Sequence, residues 1–129
     1  MNSFIKSLKN KTGFLFFGMV SKEKIDDAEK ALSVVFSDEY KEYLSTYGCV
    51  SFIDHELTGI CDSSRLSVVD TTIRERELFP TIPLEWYVIE ETNIDDIVIW
   101  QDATGAVYQT VPGSQPLKIC NSLEDYIQM

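Results

Sequence analysis

Hydrophobic positions change period twice along this chain, and each change marks a boundary between kinds of element. Phe4, Ile5 and Leu8 stand at helical spacing and predict a short first helix ending near Lys11, with Gly13 as its breaker. From Ser21 the pattern strengthens: Ile25, Ala28, Leu32 and Val35 recur every three or four residues, Ser21 can cap, and Glu23 suits the first turn. Ser37 offers a second cap, with Asp38 and Glu39 at the positive end of the helix dipole. Tyr40, Tyr43, Leu44 and Tyr47 then fall at i, i+3, i+4 and i+7, a single stripe, and Gly48 suits the left-handed residue that ends such a helix. A tyrosine stripe of this kind is read first as core with hydroxyls at its rim.

After Gly48 the period falls to two. Residues 49–61 read as two strands, or one bent strand, with a turn near Asp54. Residues 66–78 return to helical spacing through Val69, Ile73 and Arg76, and Pro80 and Pro83 forbid continuation. The β-branched and aromatic run WYVIEE at 86–91 predicts a strand. DIVIWQ at 96–101 and AVYQTV at 106–111 are joined by DATG, the clearest hairpin in the chain, with Gly105 free to take positive φ. A loop through Pro112, Gly113 and Pro116 leads to a short last strand, LKIC, and a final helix, SLEDYIQ, in which Ser122 and Asp125 fit a capping pattern. Helices at the ends and in the middle around successive strands predict an α+β single domain over 1–129, a mostly antiparallel sheet of about five or six strands packed by helices on one side.

Composition narrows the functional classes. A chain of 129 residues with 44% hydrophobic and 25% charged residues buries its own core without metal or disulfide staples. Cys49, Cys61 and Cys120 are an odd number at wide spacing with no CxxC pair, so they read as reduced and mostly buried thiols. The apolar run at 14–20 is broken by glycine and lacks a small-residue cleavage site, and no stretch is long enough to span a bilayer, which places the protein in the cytoplasm.

The formal net charge is −10, unevenly distributed. Residues 1–41 hold seven basic and six acidic groups; the remainder holds four basic against fifteen acidic. Such a field repels phosphate backbones and anionic lipid, which argues against nucleic acid and membranes as partners, and it attracts basic surfaces. The plainer alternative is that acidity serves solubility alone.

Candidate chemistry is sparse. His55 is the one histidine, flanked at intervals of six by Cys49 and Cys61, but a metal site needs a fourth ligand that this spacing does not specify. Cys49 follows a helix C-terminus among acidic groups, the wrong setting for an activated thiolate. The carboxylate pairs Glu90–Glu91 and Asp95–Asp96 put at most one strand carboxylate each into any cleft, because neighbours on a strand face opposite ways. No phosphate loop, nucleophile elbow or HExxH occurs, so no catalytic residue, metal or cofactor is assigned and the chain is read as a non-enzyme.

The order of these pieces resembles a known family. Ile25, Ala28, Glu29 and Leu32, followed by Phe36, Glu39, Tyr40, Tyr43, Leu44, Tyr47 and Gly48, are similar to the entry motif of the SUKH superfamily, which contains the yeast cell-wall-synthesis regulators and many bacterial immunity proteins. Gly59–Ile60, VIEE at 88–91, IVIWQDATGAVY at 97–108 and the terminal SLEDYI follow in the same order, so the resemblance covers a core at 21–127 with 1–20 as an N-terminal extension. Where many members carry Leu-Gly and Leu-Pro pairs, this chain has Leu32–Ser33 and Phe36–Ser37. The resemblance implies an α+β fold without catalysis, and a bacterial member that neutralises the C-terminal domain of a polymorphic toxin, frequently a nuclease. Its alternative is a regulatory or scaffold domain of the cell-wall-regulator type; a third reading is a small enzyme or metal protein built on His55. An immunity role would make Glu90, Glu91, Asp95, Asp96 and Asp102 the expected contacts to a basic toxin surface.

Overall fold

Three serine caps set the helical frame. In the computed structural model, which describes residues 3–129, Ser21, Ser37 and Ser122 each accept a hydrogen bond from the backbone N–H three residues on. They open α2 (Lys22–Leu32), α3 (Asp38–Tyr47) and the last helix, Leu123–Gln128. A fourth, Ser67, opens the middle helix, Val68–Leu78. Before them, α1 (Ser3–Ser7) passes directly into a 3₁₀ turn at Leu8–Asn10. α2 stops at Ser33, whose left-handed backbone (φ 56°) is one that favours glycine. That stop leaves Val35 outside the helix and 58% exposed, while Val34 and Phe36 turn inward.

The strands divide between two antiparallel sheets. The smaller takes β1 (Leu15–Phe16), β2 (Val50–Phe52) and β3 (His55–Glu56) in that order. The larger is a meander of β4 (Tyr87–Glu91), β5 (Val98–Gln101), β6 (Val107–Thr110) and β7 (Leu117–Cys120). With the middle helix as α4 and the last as α5, the element order is α+β, as the sequence predicts, but two sheets replace the expected single one. Residues 57 and 58 stitch them together. Leu57 bridges Glu90, Thr58 N–H donates to the Ile89 carbonyl at 2.9 Å, and the Thr58 hydroxyl donates to the Val88 carbonyl at 2.8 Å. Val88 N–H in turn donates to Thr72 Oγ1 of α4 at 3.0 Å, so the outer edge of β4 is covered and closed to further pairing.

The tyrosine stripe of α3 is core. Tyr40 and Tyr43 are buried and both hydroxyls reach Thr58, Tyr40 at its side chain (2.8 Å) and Tyr43 at its carbonyl (2.7 Å), while Tyr47 donates to the Ile5 carbonyl at 2.9 Å. Phe36 and Tyr87 pack edge-on at 4.8 Å beside them. Residues of the N-terminal stretch join the same buried cluster through Phe4, Ile5, Leu8 and Val20. A second cluster, Ile82, Trp86, Val88, Val98 and Trp100, covers the opposite face of the larger sheet, where Trp86 stacks on Tyr108 at 3.9 Å.

One irregularity decides which side chains face where. Val88 pairs with Trp100 but Glu90 pairs with Ile99, a bulge at Ile89 that inserts an extra residue into β4. Strict alternation would put Glu90 on the face of Val88 and turn Glu91 toward the main core. The bulge reverses that phase beyond Ile89, so Glu90 goes inward and Glu91 comes out beside Val98.

Candidate functional site

The five carboxylates expected to form one surface lie in three places. Glu90 is only 3% exposed and fully engaged: its oxygens lie 2.9 Å from His55 Nδ1 and 2.7 Å from the Glu56 backbone N–H, and they accept from the Tyr126 hydroxyl. It holds β3 and α5 against β4 and offers nothing to a partner. Asp102 lies at the other end of the sheet, in the β5–β6 turn, where it accepts from Thr104 N–H (2.9 Å), the Thr104 hydroxyl (2.6 Å) and the Tyr108 hydroxyl (2.8 Å). Partial burial would raise its pKa, but these donors outweigh it and hold the carboxyl below the usual range.

Glu91 and Asp96 do line one cavity, at the end of the sheet formed by the β4–β5 and β6–β7 connections, and Asp95 adjoins Asp96 in the turn. Ile97 N–H donates to the Ile94 carbonyl at 3.0 Å across a tight turn whose central residues, Asp95 and Asp96, both have positive φ (53° and 58°). This is the mark of a type I′ turn, which prefers Asn-Gly; here two adjacent exposed carboxylates occupy it instead. Asn93 is left-handed as well, at φ 60°. Asn and Asp are the non-glycine residues that enter this left-handed region most readily.

Behind the turn lies a cavity of about 690 Å³ between the C-terminal half of α4, the start of β5 and the 111–116 loop. Asp96 and Glu91 line it, and so does Glu75, which sequence reasoning does not single out. Arg74 reaches over to Glu91 at 2.9 Å. Glu75 is 8% exposed, and burial, then the adjacent Glu91 carboxylate, pushes its pKa up to about 8.

Its position corrects the reading of α4. The inward face is Val68, Thr71, Thr72 and Glu75; Ile73 is 46% exposed and Val69 and Arg76 are half-buried. These four residues follow the same i, i+3, i+4, i+7 spacing as the tyrosine stripe, with polar groups at three of the four positions. A search for apolar periodicity passes over them, and a search for any residue at that spacing after the Ser67 cap would have found Glu75.

The residues flanked by cysteines are not gathered into a site. His55 packs against Phe52 and Tyr126 and bonds Glu90. Cys49 is buried beside Cys61, and burial first, then that neighbouring thiol, pushes it up to about 12, while Cys61 and Cys120 are only half-buried. Among the described residues no group of three or more His, Cys, Asp or Glu side chains is arranged to hold a metal ion, and no helix is long and apolar enough to cross a membrane.

The family model SUKH_5, described as SMI1-KNR4 cell-wall, matches residues 1–129, the whole chain. The chain belongs to the SUKH superfamily. Among curated proteins none matches it. SUKH proteins generally act through protein–protein interaction, and the acidic end of this SUKH domain is a face with an open cavity.

Glu75 gives that face a pH signature. Its ordinary value is 4.5 and its folded value about 8, so between those limits the folded chain binds more protons than the unfolded one. Stability should therefore fall as pH rises from about 4.5 and level off above about 8. Glu75→Gln is expected to match the parent near the lower limit and to exceed it in stability at the upper one, read from urea midpoints at the two pH values. A parent and variant that track each other throughout would place the Glu75 carboxyl in water.

Proposed function

We propose that this SUKH protein is a non-catalytic immunity protein that binds and neutralises a cognate toxin domain in the cytoplasm of the producing cell. The observation that carries the reading is the exposed carboxylate turn, Asp95–Asp96, set in a left-handed conformation beside an acidic cavity, in a member of a family whose proteins act by binding other proteins. A toxin surface that handles phosphates, as a nuclease does, is basic; an acidic partner steers rapid association with it and competes with the nucleic acid for the same site.

The protein, tagged and recovered from its native host, is expected to bring with it a larger exported protein whose C-terminal domain is toxic when expressed alone and harmless when co-expressed with this chain. Recovery of envelope-synthesis proteins alone, with no toxic domain that this chain neutralises, would overturn the immunity reading in favour of a regulatory scaffold.

The turn itself can be tested apart from the fold. Asp95→Asn combined with Asp96→Gly installs the pair that a type I′ turn prefers and should raise stability by about 1 kcal/mol. The same variant should associate with the toxin more slowly and with a shallower salt dependence, because two steering charges are gone. Association rates measured across ionic strength, beside urea midpoints, give both readings; a stabilised variant with unchanged association would remove the turn from the interface.

A further inference from the structure

Three features distinguish the cavity from a surface kept acidic for solubility. It is a concavity of about 690 Å³, the size of a binding cleft rather than a flat patch. Apolar side chains form part of its lining: Leu78 and Phe79 at the end of α4, with Ile97 and Pro112. Its carboxylates also outnumber its cations: Glu75, Glu91 and Asp96 share the single guanidinium of Arg74, which is half-exposed and spans to Glu91. Among the described residues Glu75 makes no ion pair, and the group its buried carboxyl meets is another carboxyl, Glu91. Glu75 is hydrogen-bonded to Glu91, which Arg74 already pairs, so a single guanidinium faces three carboxyl groups along the lining of an open cleft, a charge imbalance that a cationic side chain complements.

We propose that this cavity receives an arginine side chain of the protein partner, its guanidinium lodged among Glu75, Glu91 and Asp96 and its methylene stem lying along Leu78 and Ile97. The identity of the partner rests on the immunity reading; the chemistry of the slot does not. Arginine suits it better than lysine. A planar guanidinium presents five donors to several carboxylates at once and is weakly hydrated, so it enters a partly apolar cleft at lower desolvation cost than a compact ammonium. Its stem covers apolar surface while its head meets the charges.

Glu75 supplies a signature that surface attraction lacks. Burial first, then Glu91 from β4 and Asp96 from the turn, favour its protonated form, against the opposing pull of Arg74 from its own helix. A guanidinium entering the slot favours the ionised form, and the proton leaves to solvent.

The intact protein titrated with N-acetyl-arginine amide, followed through its backbone amide NMR signals, tests this without any toxin. The expected result is weak, saturable binding with shifts confined to the cavity, proton release by calorimetry in two buffers of different ionisation enthalpy, and no response to N-acetyl-norleucine amide. Glu75→Gln with Glu91→Gln should weaken binding about tenfold. Leu78→Trp, at a position 68% exposed and so harmless to folding, should block the slot. Shifts spread evenly over the acidic surface, an equal response to the norleucine compound, or unchanged binding in both variants would overturn the proposal. Saturable arginine binding together with failed toxin rescue would refute immunity and leave the slot standing; toxin rescue without arginine binding would do the reverse.

Discussion

Tyr43→Ala is expected to lower the stability of the fold by about 3 to 5 kcal/mol, the range for deleting a fully buried aromatic side chain. Tyr43 has no exposed surface, and its ring lies 5.4 Å from that of Tyr40 in the stripe that joins α3 to the sheets. Its hydroxyl does two jobs at once, donating to the Thr58 carbonyl at 2.7 Å and accepting from Val50 N–H at 3.1 Å. Tyr43→Phe keeps the ring and strands both backbone groups, so it should cost about 1 to 3 kcal/mol alone. Urea unfolding with an unchanged slope is the measurement. A midpoint that hardly moves in Tyr43→Ala would show that the stripe does not hold the core.

Gly59→Ala should cost about 3 kcal/mol or more, through collision rather than loss of contact. A Cβ at Gly59 would sit 1.8 Å from the Gly48 carbonyl oxygen and 2.9 Å from Cys49 Cα, and both obstacles are backbone. The Gly48 carbonyl cannot swing aside without releasing Ile60 N–H, which donates to it at 2.9 Å. Gly48 is hemmed in on its other side, since a Cβ there would come within 2.4 Å of the Gly18 carbonyl, and its φ of +72° already suits glycine best. Gly113→Ala is the control. That residue also has positive φ, but nothing lies within 4 Å, so backbone strain alone should cost about 1 kcal/mol. Equal losses at the two positions would mean that the close approach at Gly59 relaxes easily.

Much of the fold is legible in local chemistry. Ser21, Ser37 and Ser122 cap helices as their side chains require, the α3 stripe is inward because its spacing is helical, and DATG turns the β5–β6 hairpin with Gly105 at φ 95°. What stayed hidden depends on partners remote in sequence. Thr72 and Glu75 read as outward residues until Val88 N–H and the cavity are in place beside them. β1 is two exposed residues long and exists because β2 offers it an edge, so an apolar run at 14–20 gives no period to read. For the site, Asp95 and Asp96 are legible as exposed acids in a turn, while Glu91 is half-buried in its pair with Arg74. Glu90 was not distinguishable from Glu91, because the bulge that separates their roles leaves no mark in the pattern VIEE.

That bulge also limits how this protein can diversify. The face of β4 beyond Ile89 is phased by one extra residue, so an insertion or deletion of a single codon there would exchange Glu90 for Glu91. Such a change would thrust the carboxylate that binds His55 and Tyr126 into solvent and drive its neighbour into the interior. Point substitutions at Glu91, Asp95 and Asp96 leave that phase intact. A lineage under pressure to follow a changing partner can therefore alter these positions one residue at a time, Glu91 at the cost of its pair with Arg74, while length changes in the same few residues would displace the packed Glu90.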